Sequence, residues 1–387
     1  MNHEKKRLLY FQRNNMQLLL TCPFGLSSLL NNELKKNHFK PFNTFETGTF
    51  VDTDIQGMYF LNLRSRIANK IYLQMGTKEV KTFDELFDFL KSLPFPQYLT
   101  SSKISVTVVA KYSQLNAEKS IQSVAHKAIL QSLWVTHHPE EEKKQEEKSD
   151  FEIFLHLEND VLRVYLNTSG NSLHQRGWRK QTGPAPIKEN IAAALVLLSG
   201  RKFSAPLIDP CCWSGTLLIE AACLAKNRAP WKGRNFAFQK FQSFDPNLRN
   251  HLIETATQKE FDKPYTLIWR DLDASVLEMA QKNAKEAWVD SSIQFEQKDL
   301  LQSPISFDTP FRTLTNPPYG KRLSQGEDLS PLYHTLMKTI QQSFGGIVSS
   351  FPDLWFLFSQ YFHKEEYQQK TLYNGADEVK FYRKKFS

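Results

Sequence analysis

The tetrapeptide Asn316-Pro317-Pro318-Tyr319 follows directly on a strand-like run, Arg312 to Thr315. In an open α/β sheet ligands sit beyond the carboxyl ends of the strands, so this is where reacting groups belong. The two prolines stiffen the loop and fix its carbonyls. The Asn316 side-chain oxygen and the Pro317 carbonyl can accept hydrogen bonds from an exocyclic amine and aim its lone pair at an electrophilic methyl, while Tyr319 stacks on the ring. That arrangement suits methylation of an amino nitrogen on a base drawn out of its stack.

A second loop, Asp209-Pro210-Cys211-Cys212-Trp213-Ser214-Gly215-Thr216, lies where a strand meets a helix. Small residues there let the backbone approach a ligand above the helix N-terminus, and Asp209 can reach the amino acid end of S-adenosylmethionine. Taken alone, the loop reads equally well as a plain strand–helix turn. Asp271 ends the next strand, where an acid can accept both ribose hydroxyls, and Asp273 reads as an N-cap for the helix from Ala274. Asp299-Leu300, after Ile293 to Phe295, can take the adenine amino group and ring. Together, in order on successive strands, these residues describe one cofactor trough.

The elements that must position them change character along the chain. Residues 1–15 read as a basic, weakly ordered arm. Leu18 to Thr21 and Thr44 to Thr53 are β-like, and Leu26 to Lys36 and Ile55 to Ile67 are helix-like. A second mixed unit runs over 69–170, with strands at Lys103 to Lys111, Phe151 to Leu157 and Val161 to Leu166 and a helix at Glu118 to Trp134. Its stretch 138–150, rich in Glu and Lys, is a solvated loop. Over 171–387 strands alternate with helices: Pro206 to Asp209 with Gly215 to Lys226, Tyr265 to Trp269 with Ala274 to Ala287, and Arg312 to Thr315 with Pro331 to Phe344. That alternation implies a doubly wound, mostly parallel sheet. Asn374-Gly375, between apolar runs from Thr371 to Tyr382, signals an antiparallel hairpin at its edge.

Lys plus Arg number 49 against 41 acids, a net charge of +8, which favours a polyanionic partner. The four cysteines have no CxxC spacing and no signal peptide precedes them, so a disulfide framework and a zinc site are not expected and a reduced, cytoplasmic setting is. No apolar run approaches the roughly 20 residues that span a bilayer, so no membrane partner is expected.

With these motifs in place the chain resembles the bacterial THUMP-domain methyltransferases that modify guanine N2 in 23S ribosomal RNA, a family often labelled adenine-specific DNA methylases because of the Asn-Pro-Pro-Tyr motif. Cys22-Pro23-Phe24-Gly25-Leu26 resembles the start of its ferredoxin-like N-terminal part, and Lys70 to about Thr168 its THUMP module. Leu173-His174-Gln175-Arg176-Gly177 and Ala185-Pro186-Ile187-Lys188-Glu189 resemble its lead-in to catalysis. Asp209 to Ala222, Asn235 to Phe238, Asn316 to Gly320 and Leu372 to Gly375 come in the family's order. The resemblance implies a ferredoxin-like domain at 16–68, a THUMP RNA-binding domain at 69–170 and a Rossmann-like methyltransferase domain at 171–387. It implies direct transfer from S-adenosylmethionine to guanine N2 of 23S ribosomal RNA, or of a large-subunit assembly intermediate, without a metal. Lys70, Lys103, Lys111, Lys119 and Lys127 would contact phosphates without reading sequence. An adenine-N6 DNA methyltransferase shares the tetrapeptide but should carry a target-recognition domain, against which the N-terminal half argues.

One departure stands out. The family pattern has glycine at four places where this chain has Trp213, Trp231, Trp269 and Trp288, and a tryptophan at 213 should block the methionine end of the donor. The codon UGA is read as tryptophan in some genetic codes and as glycine in others, and glycine is scarce here, at 15 of 387 residues, against a usual share of about 7%. The expectation is therefore glycine at these four positions in the natural protein, with Trp178 and Trp355 less clear cases. If tryptophan is native at 213, the alternative is a catalytically silent RNA-binding paralogue.

Overall fold

The computed structural model describes residues 16–133, 149–180, 186–200, 203–230, 234–261, 263–318, 328–349, 354–375 and 377–385. The arm 1–15, most of the loop 138–150, Tyr319 and Trp231 lie outside these residues.

Two seven-stranded sheets carry the architecture. The first is built from β1 (Met16–Thr21), β2 (Pro41–Phe45), β3 (Gly48–Thr53), β4 (Lys70–Glu79), β5 (Ile104–Lys111), β6 (Phe151–Glu158) and β7 (Val161–Asn167), in the order β2-β3-β1-β4-β7-β6-β5. Strict alternation in β6 turns Phe151, Ile153, Leu155 and Leu157 inward, as a half-buried strand requires. Four helices accompany this sheet: α1 (Ser27–Lys36), α2 (Ile55–Arg64), α3 (Phe83–Ser92) and α4 (Glu118–Ser132). The sheet is continuous from 16 to 167, because β4 pairs with β1 on one side and β7 on the other.

Two expectations change in detail. The β-like stretch 44–53 is a hairpin, β2 turning at Glu46-Thr47 into β3. The helix expected to reach Ile67 stops at Arg64, because Glu33 claims the next two residues: its carboxylate accepts from Ser65 Oγ at 2.8 Å and from the Arg66 amide at 2.7 Å, pulling the chain out of helical register.

The second sheet contains β8 (Leu207–Asp209), β9 (Leu267–Asp271), β10 (Ile293–Gln297), β11 (Arg312–Thr315), β12 (Phe344–Ser349), β13 (Tyr367–Asn374) and β14 (Asp377–Lys384), in the order β10-β9-β8-β11-β12-β14-β13. The first five are mutually parallel and β14 runs antiparallel to both its neighbours. Its helices are α5 (Glu189–Leu198), α6 (Thr216–Ala225), α7 (Pro246–Gln258), α8 (Ala274–Glu286), α9 (Ser330–Gln342) and α10 (Leu354–Tyr361). The strand β12 was hidden by Gly345-Gly346, which weaken any strand pattern. Here that smallness is required: a Cβ at Gly345, whose φ is +130°, would lie 1.9 Å from the Thr313 carbonyl of β11.

The two halves share one apolar core. At their junction Tyr59 stacks on Phe238 with ring centroids 4.3 Å apart, and Asn190 on α5 bonds Asn69 at 2.7 Å. Buried Arg176 bonds Glu220 of α6 and the Arg66 carbonyl together. The hairpin tip also returns to the lead-in segment, where Asn374 accepts from the Lys188 amide at 3.1 Å and donates to the Pro186 carbonyl at 3.2 Å.

Candidate functional site

Strand order reverses between β8 and β11, and the loops leaving their carboxyl ends face one crevice, where an open α/β sheet binds its ligand. The loop after β8 begins with Asp209, which is 2% exposed. It is tied down by the Cys212 amide on the Arg270 carbonyl at 3.1 Å and by Asn283 Nδ2 on the Ser214 carbonyl at 3.1 Å. Gly215, in the left-handed region at φ +80°, turns the chain into α6, whose first amides then point at the crevice.

Asp209 and Asn316 line one narrow cleft, together with Pro186, Cys211, Ser214 and Met279. Burial pushes the Asp209 carboxyl well above the usual carboxylate range. Burial likewise raises Asp271 at the end of β9, whose carboxylate accepts from the Asp273 amide and the Trp213 amide, each at 3.2 Å. Asp273 caps α8 through the Ser275 amide at 2.8 Å. Desolvation disfavours the charged form of both acids, Asp209 buried and Asp271 partly so.

The Asn316 loop is held from behind, Tyr333 donating its hydroxyl to the Pro318 carbonyl at 3.2 Å. Asn316 and Pro317 are buried. Asp299 lies one residue beyond Lys298, whose amide bonds the Asp271 carbonyl at 3.1 Å, and its carboxylate accepts from the Leu301 amide at 2.8 Å. Leu300 is buried, clustered with Ile208 and Ile268 between the sheet and its covering residues.

Residue 213 bridges the two loops. The indole of Trp213 reaches from the first loop to the second, its Nε1 donating to the Asn316 carbonyl at 2.8 Å, and it lines the same cleft.

Sequence reasoning missed Arg179, whose guanidinium bonds Thr216 Oγ1 at 2.7 Å and the Ile187 carbonyl at 2.8 Å and lies 3.4 Å from Glu189. It also missed Asn283 and Tyr333. Each acts across the fold on a loop distant in sequence, so no local pattern marks it. Of the lysines, Lys70 is committed to Glu152, with both carboxylate oxygens within 2.8 Å. Lys103, Lys111, Lys119 and Lys127 are exposed on or beside β5 and α4. Among the described residues no group of His, Cys, Asp and Glu is arranged to hold a metal ion, and no helix is long and apolar enough to cross a membrane.

A seven-stranded sheet with five parallel strands, a terminal antiparallel hairpin and acids at the ends of β8 and β9 defines a Rossmann-like, S-adenosylmethionine-dependent methyltransferase. Residues 176–381 match the RMKL-like methyltransferase domain and residues 17–72 the RlmL ferredoxin-like domain, and the chain belongs to this RMKL-like family. It is 28% identical over 377 residues to YpsC of Bacillus subtilis, covering 94% of each chain. It is 30% identical over 329 residues to the ribosomal RNA large subunit methyltransferase K/L of a Marinomonas species, covering 82% of this chain but only 46% of that protein. The crystal structure of SMU.472 complexed with SAH superposes with a TM-score of 0.82 at 28% identity, over 96% of this chain and 98% of that one.

Proposed function

We propose that this S-adenosylmethionine-dependent RNA methyltransferase transfers a methyl group to the exocyclic N2 of a guanine in 23S ribosomal RNA. The observation that carries the reading is the meeting of Asn316 and Asp209 in one cleft at the strand-order reversal. Asp209, Asp271 and the N-terminal turn of α6 would hold the donor, which when bound supplies an electrophilic sulfonium methyl. Asn316 and the Pro317 carbonyl accept hydrogen bonds from the amine and fix its nitrogen in line, and Tyr319 stacks on the ring. Orientation of this kind accounts for much of the acceleration, since the reaction is a direct displacement.

The N-terminal units, with the THUMP module at 69–170, hold the RNA. Exposed Lys103, Lys111, Lys119 and Lys127 meet phosphates there, while the sheet fixes the distance to Asn316. The K/L relative acts by name on large-subunit ribosomal RNA, which supports the same target. The test offers the Trp213→Gly variant naked ribosomal RNA, assembled subunits and DNA, with nucleoside mass analysis of each. N2-methylguanine in 23S RNA is the expected product, and N6-methyladenine in DNA would overturn the reading.

A further inference from the structure

Among the described residues eight that are not glycine have a positive φ. Four are Asn or Asp, whose short polar side chains tolerate the left-handed region, whereas Trp213 at +50° and Trp288 at +54° are the bulkiest side chains in the set. An L side chain of that size is strained there, because its Cβ crowds the following carbonyl.

The surroundings of Trp288 show what the backbone is built for. Helix α8 ends with the Val289 amide on the Ala284 carbonyl at 3.0 Å and the Trp288 amide on the Lys285 carbonyl at 2.9 Å. That pair of bonds is a Schellman motif, and Trp288 occupies its left-handed position, which is most often glycine. The indole is half exposed, at 49%, so it gains little burial in return for its backbone conformation.

Trp269 of β9 packs behind the loop that carries Trp213. It is fully buried, and its indole N–H has no acceptor among the described residues. Its ring lies so close to the cofactor loop that a Cβ at Gly215 would sit 2.3 Å from it. Trp213 then closes the trough by bonding Asn316.

We propose that glycine is the residue for which positions 213 and 288 are folded, and that the indole at 213 is a plug in an otherwise complete donor trough. A UGA codon read as tryptophan in one genetic code and glycine in another accounts for both positions at once. The inference rests on the methyltransferase reading for the trough, and on backbone conformation alone for Trp288.

The codons of the natural gene give the first test: UGA at 213 and 288 is expected, and UGG at these positions overturns the proposal. The second compares the tryptophan-bearing chain with Trp213→Gly and Trp288→Gly by calorimetric titration with S-adenosylhomocysteine and by thermal melting. Trp213→Gly should tighten binding at least about tenfold, and Trp288→Gly should leave binding unchanged while raising the melting temperature by about 2–4 °C. Equal affinity of the parent chain and Trp213→Gly sinks the plug while leaving the methyltransferase reading intact. Tight binding by Trp213→Gly with no methylated guanine in ribosomal RNA sinks the proposed target and leaves the plug standing.

Discussion

Arg176 and Glu220 meet at 3.1 Å with both side chains only 2% exposed, and the same guanidinium donates to the Leu173 and Arg66 carbonyls at 2.6 Å. One side chain therefore ties the lead-in segment, the N-terminal half and helix α6 to each other. Arg66, at 3.8 Å from Glu220, completes the cluster. Removing one member of a buried pair strands the other's charge, which costs about 3–5 kcal/mol. Arg176→Met should lower stability by that order in denaturant titration, and Arg176→Met with Glu220→Leu should recover part of the loss. Equal stability of Arg176→Met and the parent would show that the junction does not depend on this pair.

His174, close in sequence to that cluster, is held down to about 4 by burial and by the positive charges of Lys188, Arg176, Arg179 and Arg234. A depressed folded value means stability is fully present above the ordinary value of 6.5 and is lost as pH falls towards 4, a loss of about 2–3 kcal/mol in total. Thermal melts from pH 7 to pH 4.5 should show a steeper decline for the parent than for His174→Gln. Parallel curves would remove His174 from the account.

Asp209 has the opposite sign. Its folded value is raised by burial, so the stability it contributes is present below the ordinary carboxylate value of 3.8 and is lost as pH rises towards the folded one. Asp209→Asn should therefore melt higher than the parent at pH 8, with the gap shrinking towards pH 4, yet bind S-adenosylhomocysteine more weakly. A variant that loses affinity and stability together would point to a structural role alone.

Asn316 should act on transfer more than on donor binding. In a Trp213→Gly background, Asn316→Ala should lower kcat by about 100-fold or more, with S-adenosylhomocysteine affinity within about threefold of the parent. A matching fall in affinity would place Asn316 in the donor site instead.

The exposed lysines should behave as phosphate-binding groups. Replacing Lys111, Lys119 or Lys127 by alanine should weaken RNA binding at every sequence and reduce the slope of log affinity against log salt by about 0.7–0.9 for each lysine removed. Lys70→Ala should change that slope least, since Lys70 is spent on Glu152.

The sequence by itself determined the periodic elements, the parallel sheet with its Asn374-Gly375 hairpin, and the two loops that carry Asp209 and Asn316. Strand and helix periods, turn residues and strand-end motifs are local signals, so they survive without coordinates. Only the tertiary structure decided what distant residues do to one another. Arg179 reaching Thr216, Tyr333 bracing Pro318 and Asn374 pinning the lead-in join segments 15 to 188 residues apart, and no spacing rule records such meetings. The tryptophans divide in the same way: their departure from the family pattern was legible in the motifs, but the left-handed backbone at 213 and 288 is set by loop and helix-end hydrogen bonds, which exist only once the chain has folded.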